Sequence, residues 1–191
     1  ARLIYRVRVS FVDRKALAEL DPKTSVVFVM NHRSNFDYVL VAYLVSRHAA
    51  ISYAVGEWAR IWPLDTLIRR MGGFFVRRDS ADPLYRKVLE RYVQLASESG
   101  VTQGIFPEGR LSRDGRLGEP RVGLLHYLLR KFDPVHGPDL VFVPVGINYD
   151  RVVEDRNLIM GASNERQSAR KAVSAAVGWF GRIALLVARG G

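Results

Sequence analysis

Residues 31–38 read NHRSNFDY, and they set a histidine, His32, five positions ahead of an aspartate, Asp37. The stretch lies between two apolar runs, 26–30 and 39–45. An imidazole exchanges a proton near neutral pH, and a carboxylate on one ring nitrogen fixes its tautomer and steadies the imidazolium that forms. Ser34, followed three residues later by Asp37, resembles a capping box ahead of a helix. A turn there folds Asp37 back within reach of one nitrogen and leaves the other as an acceptor. The substrate then needs only to bring a hydroxyl, and no serine or cysteine nucleophile is required. The plainer alternative is a turn histidine and an aspartate that favours a helix N-terminus.

Three further blocks carry groups that suit this chemistry. GGFFVRR (72–78) is a short strand delivering Arg77 and Arg78 to its end. Neighbours on a strand point to opposite faces, so one of the two faces a cleft and the other solvent. IFPEGRLSRDG (105–115) runs from an apolar strand into Pro107, Glu108 and Gly109, then Arg110 and Arg113. Proline and glycine around a glutamate make a tight rim loop, where Glu108 can orient arginines or hold a hydroxyl. VFVPVGINYD (141–150) is an apolar strand with Pro144 in its middle, which suits a sheet edge or a bulge beside a site.

These blocks need a scaffold. Strands are expected at 5–12, 25–30, 73–77, 103–106 and 140–148, and helices at 35–47, 57–70, 83–99, 122–131 and 164–176. Alternation of the two implies an α/β fold, a single domain over 1–191 with a central, mostly parallel mixed sheet flanked by helices. Residues 25–30 are apolar on both faces, as in a strand covered on both sides. Asp82-Pro83 marks a helix start. The ends of strands in such sheets form the rim where ligands bind, which is where His32 falls.

Composition narrows the choices. The chain has 191 residues, 48% of them apolar, and a formal charge of +10; 24 of its 29 basic residues are arginine. That surplus favours an anionic partner such as a phosphorylated substrate, an anionic membrane or nucleic acid. Cysteine is absent, which excludes disulfides, thiolate metal sites and cysteine nucleophiles. His32, His48, His126 and His136 show no metal-ligand spacing, so no metal is expected. No run of about 18 uncharged apolar residues occurs, so no transmembrane helix is expected. The chain begins at Ala1, and truncation at one or both ends is expected.

In this order and spacing the four blocks resemble the glycerolipid acyltransferase superfamily, with its H-x-x-x-x-D, G-x-F-F-x-x-R, F-P-E-G and V-P-V motifs. HRSNFDYVLVAYL, IRRMGGFFVRR and VGINYDRVVE are most similar to bacterial and mitochondrial-type glycerol-3-phosphate acyltransferases. The resemblance implies that His32 is the general base and Asp37 its orienting partner. The acceptor is glycerol 3-phosphate at its 1-hydroxyl, and the donor acyl-CoA or acyl-carrier protein. No cofactor beyond that co-substrate and no acyl-enzyme are implied, and backbone N–H groups near the helix start would serve the oxyanion. Arg78 matches the phosphate-binding arginine of the second block, and Glu108 and Gly109 match the acceptor-binding third block. Many members read E-G-[GT]-R-S where this chain reads Glu108-Gly109-Arg110-Leu111, so the phosphate-gripping arginine stays open between Arg77, Arg78, Arg110 and Arg113.

A lysophosphatidate acyltransferase is the alternative within the class. A basic nucleic-acid-binding module is a distant one, opposed by aromatics (Tyr38, Tyr43, Phe74, Phe75) that sit inside apolar runs rather than on a stacking platform. An inactive scaffold is the third. The product of acyl transfer belongs in a bilayer, so the chain is expected to lie peripherally on the cytoplasmic face of a membrane. The stretch 57–71 is the surface candidate: Trp58, Ile61, Trp62, Leu64 and Ile68 with Arg60, Arg69 and Arg70. The same residues would otherwise be a core helix or line an acyl channel.

Overall fold

The β-branched run SVVFVM forms β1 (Ser25–Met30), and its neighbours follow from register. Val27 pairs with Gln103 of β4 (Thr102–Ile105) on one side and with Phe142 of β5 (Leu140–Val145) on the other. The structure, a computed structural model, describes residues 7–9, 13–34, 36–38, 40–41, 51–60, 62–77, 80–112 and 114–150. Among these, β2 (Ile51–Gly56) and β3 (Gly73–Val76) complete a sheet of order β3-β2-β4-β1-β5, with every pairing parallel. β5 is an edge among the described strands, which explains how Pro144 sits opposite Val29 without breaking an interior ladder.

The strand order makes the chain travel outward from β1 to β2 to β3, then turn back to β4 and on to β5. Parallel crossovers are right-handed, so reversing the direction moves the connecting helices to the other face. The packing agrees. Val41 and Ile68 join a core with Met30, Tyr53 and Val55 on one face. Val93 of α3 (Pro83–Glu98) and Leu128 of α4 (Gly123–Leu129) join Val27 and Ile105 on the other. β4 therefore lies between β1 and β2 with its connection leaving on the opposite side from theirs. A crevice opens at the carboxyl ends of the strands at such a switch.

Several expectations change. Residues 51–56 were not expected as a strand. Ile51, Tyr53 and Val55 are buried on one face, but Ser52, Ala54 and Gly56 on the other are poor strand formers, which obscured the pattern. The helix expected at 57–70 is a 3₁₀ turn (Glu57–Ala59) followed by α2 (Leu64–Arg70), because Pro63 lacks an N–H and cannot sit inside a helix. Of the strand expected at 5–12, residues 7–9 carry no strand and the rest lies outside the described residues. A short α1 (Arg14–Ala18) follows it, with the Asp13 carboxylate accepting the Ala16 N–H at 2.9 Å. The helix expected at 35–47 is seen at 37–38 and 40–41, and the one at 164–176 lies outside the described residues. α3 starts on the Asp82 cap as its sequence implies.

α3 and α4 are tied by Glu90, which is buried. Its carboxylate accepts from Arg130 at 3.3 Å, Gln94 at 3.3 Å and Lys87 at 3.4 Å. Burial is the largest single influence and raises the carboxyl, but the Arg130 and Lys87 charges and the hydrogen bonds from Lys87 and Gln94 reverse it to below the ordinary 4.5. A carboxyl lowered in the folded state contributes stability above its ordinary value and loses it as pH falls through the lowered one. Going from pH 7 to below pH 4, the urea midpoint of Glu90→Gln should fall less than that of the unaltered protein. An equal fall would exclude Glu90 as a contributor.

Candidate active site

β1 ends at Met30 and the chain turns sharply. Asn31 holds the turn by copying a backbone pairing: its Oδ1 accepts the Ile147 N–H at 2.6 Å and its Nδ2 donates to the Ile147 carbonyl at 2.8 Å. This lashes the end of β1 to the segment that follows β5. His32 comes next, at the carboxyl rim, with its ring only 3% exposed.

Asp37 is fully buried and accepts four hydrogen bonds. Oδ2 lies 2.9 Å from His32 Nδ1 and also accepts the backbone N–H groups of Arg33 at 2.7 Å and Ser34 at 3.0 Å. Oδ1 accepts the Tyr149 hydroxyl at 2.6 Å. An ionised carboxylate only accepts, so Nδ1 carries the proton and Nε2 presents a lone pair. Nε2 makes no hydrogen bond among the described residues, and the ring lines a pocket of about 230 Å³. Half of the expected capping box forms: Asp37 accepts the Ser34 N–H, while Ser34 Oγ accepts the Phe36 N–H at 3.0 Å and the Asp37 N–H goes to the Ser34 backbone carbonyl at 3.0 Å. One consequence alters the oxyanion expectation. The amides of residues 33 and 34 are bonded to Asp37 and those of 36 and 37 to Ser34, so these four are committed within the turn rather than to a substrate oxygen.

Aromatic rings hold the imidazole in plane. Phe106 lies 4.4 Å from the ring centroid and Tyr38 meets it edge-on at 5.1 Å. Tyr38 stacks in turn on Tyr53 at 5.1 Å. Burial pushes the Tyr53 phenol up to about 12, and its hydroxyl has no partner among the described residues, so it stays protonated and packs as an aromatic.

The loop after β4 straps this site. Glu108 is buried, and its two oxygens go to two backbone amides: Oε1 accepts the His32 N–H at 3.2 Å and Oε2 the Gly118 N–H at 2.9 Å. Ser112 N–H donates to the His32 carbonyl at 2.9 Å. Glu108 was expected to orient arginines or hold a substrate hydroxyl, but the contacts it makes hold the backbone of His32. Gly109 adopts φ +64°, a left-handed conformation that favours glycine, and lines the pocket.

The arginines divide. Arg77 lines the pocket with His32. Its N–H donates to the Tyr85 hydroxyl at 2.8 Å, its guanidinium lies 5.4 Å over the Tyr85 ring, and its Nε donates to Glu57 at 3.4 Å. Arg110 is exposed and is not among the pocket's lining side chains. Arg78 and Arg113 lie outside the described residues. Two lining or supporting residues escaped the sequence reading: Arg121, at the approach to α4, and Tyr149. Tyr149 carried a faint signal, since its block ends at the rim of the sheet.

Ala54 and Gly56 lie on the face of β2 opposite Tyr53 and Val55, and their small size leaves the space the pocket occupies beneath α3 and α4. Val76, Leu89, Ile105 and Leu124 line it there. The site thus joins a proton acceptor at a rim, a cation beside it and an apolar recess. Tyr149→Phe should strand Asp37 Oδ1 in a buried setting, at a cost of about 1–3 kcal/mol read as a shift in urea midpoint. Turnover should drop about tenfold as the carboxylate loosens, since small misplacements of a catalytic group are costly. An unchanged midpoint would show that the Tyr149 hydroxyl does not support Asp37.

A family model described as Acyltransferase matches residues 6–148. The chain is 37% identical over 153 residues to the glycerol-3-phosphate acyltransferase of Pseudomonas putida (strain GB-1), covering 77% of this chain and 18% of that protein. It is 38% identical over 149 residues to that of Ectopseudomonas mendocina (strain ymp), covering 75% and 18%. It is 34% identical over 168 residues to that of Pseudomonas syringae pv. tomato, covering 85% and 20%. The chain therefore spans about a fifth of the length of these curated relatives.

Proposed function

The chain belongs to the acyltransferase family, and from that premise we propose that it moves a fatty acyl group from acyl-CoA or acyl-carrier protein to the 1-hydroxyl of glycerol 3-phosphate. The observation that carries this reading is the His32–Asp37 pair at 2.9 Å through Nδ1, with His32 lining the pocket. His32 Nε2 takes the hydroxyl proton as the oxygen attacks the thioester carbonyl. The tetrahedral intermediate then expels the thiolate, which recovers the proton from the imidazolium, giving an ester and a free thiol. Asp37 stays ionised and steadies the imidazolium between the two transfers. Arg77 is a cation for the acceptor's phosphate, with Arg78 beside it in the sequence and Arg113 of the third block as further cations for that role. The recess lined by Val76, Leu89, Ile105 and Leu124 suits the start of an acyl chain. The reading calls for no metal or organic cofactor.

Membrane contact at the cytoplasmic face is part of the proposal. Trp62 is 81% exposed and Leu67 is half-exposed, with Arg60, Arg69 and Arg70 around them. This mixture suits the interface of an anionic bilayer. Ile68, expected in the same patch, packs into the core instead. No described helix is long and apolar enough to cross a membrane.

The test is release of free CoA from palmitoyl-CoA by the full-length protein, with anionic phospholipid vesicles present, comparing glycerol 3-phosphate with lysophosphatidate. Rate with glycerol 3-phosphate supports the reading. Rate with lysophosphatidate alone replaces the acceptor, and the absence of any acceptor-dependent release removes the activity. Vesicle co-sedimentation that is equal for Trp62→Ala and the unaltered protein would remove the membrane patch.

A further inference from the structure

We propose that Arg121, and not Arg110, is a further cation that grips the phosphate of the acceptor together with Arg77. The inference rests on the reading that the acceptor is a phosphate monoester. Three observations lead to it. Arg121 and Arg77 are the two arginines among the described residues lining the pocket into which His32 faces. The backbone of Arg121 is fixed, because its N–H donates to the Pro107 carbonyl at 2.7 Å. Its stem passes close to Gly109, which has φ +64°: a Cβ there would stand 3.4 Å from Arg121 Cδ. The left-handed glycine thus gives the Arg121 stem a bare backbone to lie along, and the guanidinium is carried towards the pocket from the loop that also anchors His32.

This geometry gives the motif's departure a physical sense. The third block places Arg110 one position earlier than many relatives place theirs, and Arg110 ends outside the pocket. Arg121 enters from twelve residues beyond Gly109 and returns to the same loop through Pro107. A planar guanidinium offers two parallel N–H donors to a phosphate, and a pair of them flanking one dianion is a stronger and more directional clamp than one. The phosphate would then be held beside His32 while the hydroxyl faces Nε2.

Kinetics of the full-length protein test this with Arg121→Gln, Arg121→Lys and Arg110→Gln. All three substitutions keep the backbone bond to Pro107 and alter exposed side chains, and equal thermal midpoints will show that each variant is folded. Arg121→Gln should raise KM for glycerol 3-phosphate tenfold or more, leaving KM for palmitoyl-CoA and kcat at saturating acceptor within about twofold. Inorganic phosphate should inhibit Arg121→Gln correspondingly less. Arg121→Lys should recover part of the loss, and Arg110→Gln should match the unaltered protein. An unchanged acceptor KM in Arg121→Gln overturns the proposal. So does a rise confined to palmitoyl-CoA, which would assign Arg121 to the donor's phosphates, or an equal effect of Arg110→Gln. If the unaltered protein uses lysophosphatidate and not glycerol 3-phosphate, the acceptor assignment fails while the same comparison, run on lysophosphatidate, decides Arg121. Failure on both acceptors removes the proposal with the reading beneath it.

Discussion

Replacing His32 by alanine is expected to lower kcat by about 10²–10⁴-fold, the usual worth of a positioned general base. KM for either substrate should change little, because the imidazole meets the acceptor hydroxyl only as the proton leaves. The variant should stay folded. Asp37 loses one of its four donors but keeps Tyr149 and the amides of Arg33 and Ser34. Asp37→Asn should behave differently. An asparagine has one acceptor oxygen, so its NH₂ must face at least one of the groups that now donate to the carboxylate. Activity falls with the His32 tautomer, and stability falls too, by at least about 1–3 kcal/mol for a buried donor left unpaired. Acceptor-dependent CoA release measured beside urea unfolding separates the two substitutions. Activity in His32→Ala above a tenth of the original would end the general-base assignment.

The second large effect belongs to Glu108. Resemblance assigns it to the acceptor, whereas its two oxygens are taken by the His32 and Gly118 amides. These assignments differ in what glutamine does. Glu108→Gln has one acceptor oxygen for two N–H groups, and where the buried His32 N–H is the one left unpaired the cost is about 1–3 kcal/mol. If the loss frees the backbone at His32, kcat should fall about 10²-fold, the scale associated with a displacement of roughly 1 Å at a reacting group. KM for glycerol 3-phosphate should remain within about twofold. A residue that holds the substrate hydroxyl gives the converse, a raised KM with much of kcat intact, and that result would return Glu108 to the binding site. Glu108→Asp keeps both acceptors on a shorter arm and should lie between the two. Gly118 is also constrained, since a Cβ there would stand 3.2 Å from Glu108 Oε2.

The Glu108 prediction rests on a strap that holds the backbone at His32. The third motif contributes no nucleophile and no base. It clasps the first motif by accepting the His32 N–H, donating from Ser112 to the His32 carbonyl, and presenting Arg121 along Gly109. Two motifs 76 residues apart thus behave as one unit. Substitutions in the strap should therefore be non-additive with substitutions at His32.

The amino-acid sequence by itself determined what was local. His32 and Asp37 are joined across one capped turn, and a cap is encoded by residue types a few positions apart. The alternation of β-branched runs with helical ones fixed an α/β sheet, and Pro144 marked an edge because a missing N–H matters wherever it occurs. The tertiary structure decided the rest. β2 was hidden because Ala54 and Gly56 are chosen for the space they leave, which only a facing helix reveals. Tyr149 reaches Asp37 from 112 residues away, and no periodicity records that. Arg110 and Arg121 look alike in sequence; the loop's path and the bare backbone of Gly109 bring only one of them to the pocket. Local hydrogen bonds and face periods are written in short spacings. Which distant side chains converge is set by crossover handedness and the order of strands, and those become definite only when the chain is packed.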